Sequence, residues 1–159
     1  MAKDYLSTYL NDHLSGAVAA LELLDRLINE VGDHGPLGQI REDIQADRQE
    51  LKTLMSRLKI SQSPLRKAGG WIAEQFVETK LAFDDENAGP LRTLERLEAL
   101  GLGINGKLAL WRGLKASSVQ DARLSGLDYE RLIQRAEDQH DRVETLRIDA
   151  AISALSTAA

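Results

Sequence analysis

The sequence predicts an all-α fold, a bundle of four long antiparallel helices, and three observations predict it. Apolar residues recur at steps of three and four through four long segments, the spacing that puts them on one face of a helix. All three prolines, Pro36, Pro64 and Pro90, stand where a helix would begin and none interrupts a periodic run. The apolar content is 43% while aromatics supply only 4%, so the core has to be built from Leu, Ala, Ile and Val, as in packed helices. No stretch alternates with the two-residue period of a strand.

The first helix is expected over about residues 4 to 31, with Leu6, Leu10, His13, Ala17, Leu21, Leu24, Ile28 and Val31 facing inward. Gly32-Asp33-His34-Gly35-Pro36 supplies a glycine stop and a proline start with little chain between, so the second helix turns back beside the first. That helix is expected over about residues 36 to 59, its inward set being Leu37, Ile40, Ile44, Asp47, Leu51, Leu54 and Leu58. From Ile60 to Gly89 the pattern is mixed, with Ser63-Pro64, Gly69-Gly70 and a shorter helical stretch from Trp71 to Leu81. Such a passage reads as a long crossover whose Trp71, Phe76 and Phe83 pin it to the bundle or, alternatively, line a partner surface. The third helix starts at Gly89-Pro90 and continues to about residue 115 through Leu94, Leu97, Leu100, Ile104, Leu108 and Trp111. The fourth follows Ser125-Gly126-Leu127-Asp128, which resembles a capping box, and runs to about Leu155 through Leu132, Ala136, His140, Val143, Leu146 and Ala150. The first and fourth helices then run one way and the second and third the other. The 159 residues make one domain, long enough to bury a core without staples.

Composition excludes some classes of function. There is no cysteine, hence no disulfide framework, thiolate zinc site or cysteine nucleophile. The net charge of -5 comes from interspersed acids and bases, which disfavours nucleic acid as a partner because phosphate binding needs concentrated Lys and Arg. No apolar run approaches the roughly 20 residues needed to span a bilayer, and no signal peptide is visible, so the expected address is cytoplasmic.

Three features carry candidate chemistry. Gly101-Leu102-Gly103-Ile104-Asn105-Gly106 spells the dinucleotide fingerprint, but that motif works between a strand and a helix N-terminus, and Leu94 to Leu100 precede it with helical spacing. The same residues read better as a stripe of small side chains, Ala99, Gly103, Gly106, Ala109 and Gly113, that admits another backbone. Gly16, Ala19 and Ala20 of the first helix, or a second copy in a homodimer, would fill it. The second feature is a set of polar residues on apolar faces, His13, Asp47 and His140, which rise arithmetic places within about one turn of each other. Hydrogen bonded to one another, with Glu137 one turn away from His140, they form a buried polar cluster. The third is Glu137-Asp138-Gln139-His140, a Glu-x-x-His unit within a long helix.

With that unit, four long helices and a long connection between the second and third, the chain resembles the ferritin-like superfamily. The resemblance covers most of the chain in architecture and one helix in motif. It implies metal ligation by Glu137 and His140 with single carboxylates from neighbouring helices, Glu22 and either Glu95 or Glu98, and an iron- or manganese-binding oxidoreductase or iron-handling role. The second helix departs from the family pattern: Glu42-Asp43-Ile44-Gln45 and Asp47-Arg48-Gln49-Glu50 hold no histidine, and Glu22 and Glu98 sit roughly one to two turns above His140. The expectation is therefore a ferritin-like bundle without a complete dimetal site or cofactor, a non-catalytic structural or interaction protein, with the iron or manganese oxidoreductase as the alternative.

Overall fold

A computed structural model describes residues 4–32, 35–63 and 89–156. Four helices make up these residues, with no strand among them: α1 (Tyr5–Val31), α2 (Pro36–Arg57), α3 (Gly89–Ser117) and α4 (Tyr129–Leu155). A 3-10 turn, Ala122–Leu124, precedes α4. The helix ends follow local chemistry. Asp4 caps α1 by accepting the Ser7 N–H at 3.0 Å, and Gly32, at φ +66°, closes it in the left-handed conformation with its N–H on the Ile28 carbonyl. Pro36 opens α2, where its missing N–H costs nothing. Asp128 caps α4 alone, accepting from Arg131 N at 3.1 Å, whereas Ser125 ends the 3-10 turn; the expected capping box is a single aspartate cap. The crossover's short helix at 71–81 and its aromatic anchors, and His34, lie outside the described residues.

The helices associate as a bundle, α1 against α2 and α3, α4 along α3 and against α2. Their buried residues separate into two apolar clusters. One holds Leu24, Leu27, Ile40, Ile44, Leu100, Ile104 and Val143; the other holds Leu10, Leu14, Leu51, Leu54, Leu110, Trp111, Leu132 and Ala136. Between them each helix carries something other than a large apolar side chain. Asp47 stands between Ile44 and Leu51, Lys107 between Ile104 and Leu110, Gln139 between Ala136 and Val143, and Gly16 and Ala17 between Leu14 and Leu21. This interruption positions everything described below.

Two inward assignments are corrected. Val31, the last residue of α1, is exposed. In α4 the residue that completes the core face is Gln139, fully buried, and its neighbour His140 is turned about 100° away and remains half-buried. None of the helices described is long and apolar enough to cross a membrane.

Candidate polar layer and cleft

Asp47 projects from the middle of α2 with 1% of its surface exposed. Such a carboxylate is tolerable only if donors surround it. Its Oδ2 accepts from Lys107 Nζ at 2.5 Å and from Gln139 Nε2 at 3.0 Å, and its Oδ1 accepts from Arg135 Nε at 2.7 Å and is ion-paired with Arg135 Nη2. Lys107 also donates to Gln139 Oε1, so α2, α3 and α4 are tied together at one level. Burial pushes the Lys107 ammonium below its usual pKa, and attraction to Asp47 works against that push. Around this centre Asp43 pairs with Arg142, and Glu50 with Arg131.

α1 contributes no polar side chain to the layer. At that level it presents Gly16 and Ala17, opposite Gly103 and Gly106 of α3, and the small side chains leave a cleft of about 280 Å³ between the two helices. Ile44, Leu51 and Leu110 wall it, Asp47 and Lys107 reach it from the layer, and His13, Arg48 and Trp111 complete its lining. On two of these lining residues a donor is shut off from solvent and has no hydrogen-bond partner: Trp111 Nε1, on a side chain 1% exposed, and Arg48 Nε. His13 packs edge-on against the Tyr9 ring with centroids 4.6 Å apart, and burial lowers its pKa to about 4, so it is neutral near pH 7.

Among the described residues, a Cβ added at Gly106 would meet nothing within 4 Å, and one at Gly113 would meet the Tyr9 hydroxyl, at 3.7 Å. Ala99, Gly103, Gly106 and Ala109 all line the cleft, and Leu102, 62% exposed, stands at its rim. Residues 101–106 lie within α3, so the dinucleotide-like letters have helix on both sides and no strand before them.

The other expected site residues are dispersed. Of the buried polar cluster of His13, Asp47, Glu137 and His140, Asp47 is the member at the centre and His13 borders the cleft. Glu137 is half-exposed and accepts from Arg112 at 2.7 Å, and His140 lies 3.8 Å from the exposed Asp141. The physical reason is the rotation of α4, which turns Gln139 and Arg135 toward α2. Among the candidate metal ligands, Glu22 is exposed on α1, and Glu98 faces Arg147 at 3.6 Å. No group of three or more His, Asp or Glu side chains among the described residues is placed to hold a metal ion. Sequence reasoning missed Lys107, Arg135 and Gln139, although Ile104, Lys107 and Leu110 share the spacing by which Asp47 was found. Compared with known protein families, with curated proteins and with solved structures, the chain matches none.

Proposed function

We propose that this chain is a non-catalytic binding bundle, ferritin-like in its antiparallel course, that holds a small guest in the cleft between α1 and α3. The order in which the helices traverse the two apolar clusters supports the antiparallel course. α1 and α4 pass from Leu14 to Leu21 and from Ala136 to Val143, out of the second cluster into the first. α2 and α3 pass from Ile44 to Leu51 and from Ile104 to Leu110, the reverse way.

The observation that carries the binding role is the cleft of about 280 Å³ held open by glycine and alanine on both flanking helices. A void of that size sits near the lower end of the roughly 300–1,000 Å³ found for small-molecule sites, and close-packed interiors ordinarily hold few voids larger than a water molecule. A purely structural bundle would gain by filling it. The polar residues beside the cleft support a binding role over a catalytic one, since Asp47 is occupied by three donor side chains and is a poor general base.

Gly106→Leu separates binding from folding. The added side chain enters open space and replaces a helix-interior glycine, so stability is expected to hold or to rise by up to about 1 kcal/mol. Calorimetric titration with 1-octanol, an uncharged apolar probe, is expected to show one site on the wild-type chain and none on the variant. Equal heats from both proteins, or none from the wild type, would remove the guest-binding reading.

A further inference from the structure

Where α2 ends, a hollow of about 350 Å³ lies between its last turn and the 3-10 turn, and among the described residues it shares no lining with the cleft. Arg57, Leu58, Lys59, Ala122, Arg123 and Ser125 line it, three cations and no acid. Arg57 is exposed yet fixed in place. Its Nη2 donates to the Ser125 carbonyl at 2.6 Å and to the Arg123 carbonyl at 3.2 Å. Gly126, at φ +99°, makes room for the guanidinium, since a Cβ there would stand 2.8 Å from Nη1. The N–H groups on Nε and Nη1, three of the five that a guanidinium carries, are left to donate elsewhere.

Lys59 occupies its place at a conformational cost. The helix closes with Ile60 N–H on the Met55 carbonyl and Lys59 N–H on the Ser56 carbonyl, and Lys59 takes the left-handed position, φ +56°, that glycine ordinarily fills. It is the one residue other than glycine at positive φ among those described. Strain kept at a lysine points to a use for its ammonium. The same two bonds occupy helix-end carbonyls that would otherwise disfavour an anion nearby.

Charge selects the ligand. Arg123 is balanced by Asp121, which accepts from its Nε and Nη2. Arg57 and Lys59 face no carboxylate among the described residues, whereas Arg92, Arg112, Arg131 and Arg142 each do. Two uncompensated cations thus border one hollow in a chain whose formal charge is -5, so general attraction of anions is not at work. A carboxylate would match one of them. A phosphate group, which carries close to two negative charges near pH 7 and several acceptor oxygens, matches both.

We infer that this hollow binds a phosphate group, with Arg57 and Lys59 as its cationic donors. The site is independent of the guest proposed for the cleft, and either can fail without the other.

Inorganic phosphate titrated at constant ionic strength, followed by backbone amide shifts in NMR, is expected to move the signals of Lys59, Arg123 and Ser125 saturably. Chloride over the same range should leave them in place. Lys59→Gly removes the ammonium and relieves the backbone together. It should weaken phosphate severalfold while the thermal midpoint holds or rises, a pairing that a purely structural lysine would not produce. Glycerol phosphate run beside inorganic phosphate separates the two sources of the group: tighter binding of the ester assigns it to an organic ligand, equal binding to the free ion. Absence of saturation with both probes, shifts that chloride reproduces, or a phosphate affinity indifferent to Lys59→Gly overturns the assignment.

Discussion

Replacing Asp47 with alanine is expected to lower the unfolding free energy by about 3–5 kcal/mol, the cost of removing one partner from a buried ion pair. The direction follows from what the substitution leaves behind. Lys107 and Arg135 would keep their charges in a place made tolerable by the missing carboxylate, and Gln139 would lose the acceptor for its amide. Urea denaturation followed by circular dichroism measures the loss. Adding Lys107→Met to Asp47→Ala should cost less than the sum of the single changes, since the second removes a charge the first left unmatched. A loss below about 1 kcal/mol would place Asp47 with ordinary surface pairs and refute its role at the centre of the layer.

The second large effect is one of pH. His13 has a pKa of about 4 in the folded chain because burial penalises its charged form, against 6.5 for an unperturbed imidazole. The unfolded chain therefore takes up a proton first as the solution is acidified. Stability from this residue is fully present above about pH 6.5, falls as pH drops toward 4, and levels off below that. The full swing is on the order of 3 kcal/mol. Carboxylates such as Asp47 also lose their ion pairs in acid, so the informative quantity is a difference. Subtracting the stability curve of His13→Gln from that of the wild type should isolate a step between pH 6.5 and 4, and a flat difference would show that His13 reaches solvent.

The helices themselves were legible because burial imposes a period that the apolar residues display openly. Each expected boundary lies within a few residues of the observed one, since proline, glycine and capping aspartate act through their own backbone chemistry. Asp47 was legible for the converse reason, as a charge interrupting an otherwise apolar repeat. Its partners were not. In α4 the steps from Leu132 through Ala136 can continue by three to Gln139 or by four to His140, and both reach Val143 at permitted spacing. Packing against α2 selects the first path. Lys107 was obscured because its flexible stem allows a lysine on a core face to be read as reaching water. Whether the small residues of α3 mark close contact or empty space depends on how far α1 stands away, a distance set by side chains elsewhere on both helices. The sequence pattern is the same in either case.

The two ends of the bundle are held by different balances of forces, although Lys115 pairs with Glu130 and Arg131 with Glu50 close to Tyr129 too. Near Tyr129, bonds to main-chain carbonyls join separate elements: Arg57 donates to the Ser125 and Arg123 carbonyls, the Tyr129 hydroxyl donates to that of Leu124, and Asn11 donates to that of Ser61 while accepting from Ser63 N. At the opposite end the end of α1 meets the start of α3 through ion pairs of Glu30 with Arg92 and Arg96, and α4 meets α3 through Arg147 and Glu98. Dissolved ions screen the second kind of attachment far more than the first. Raising the ionic strength should therefore loosen the opposite end more than the end near Tyr129, where bonds to main-chain carbonyls stand beside the ion pairs. Amide hydrogen exchange in the last turn of α1 would accelerate more than that around Leu124 and Tyr129, and a uniform response would mean that the ion pairs contribute little to keeping that end shut.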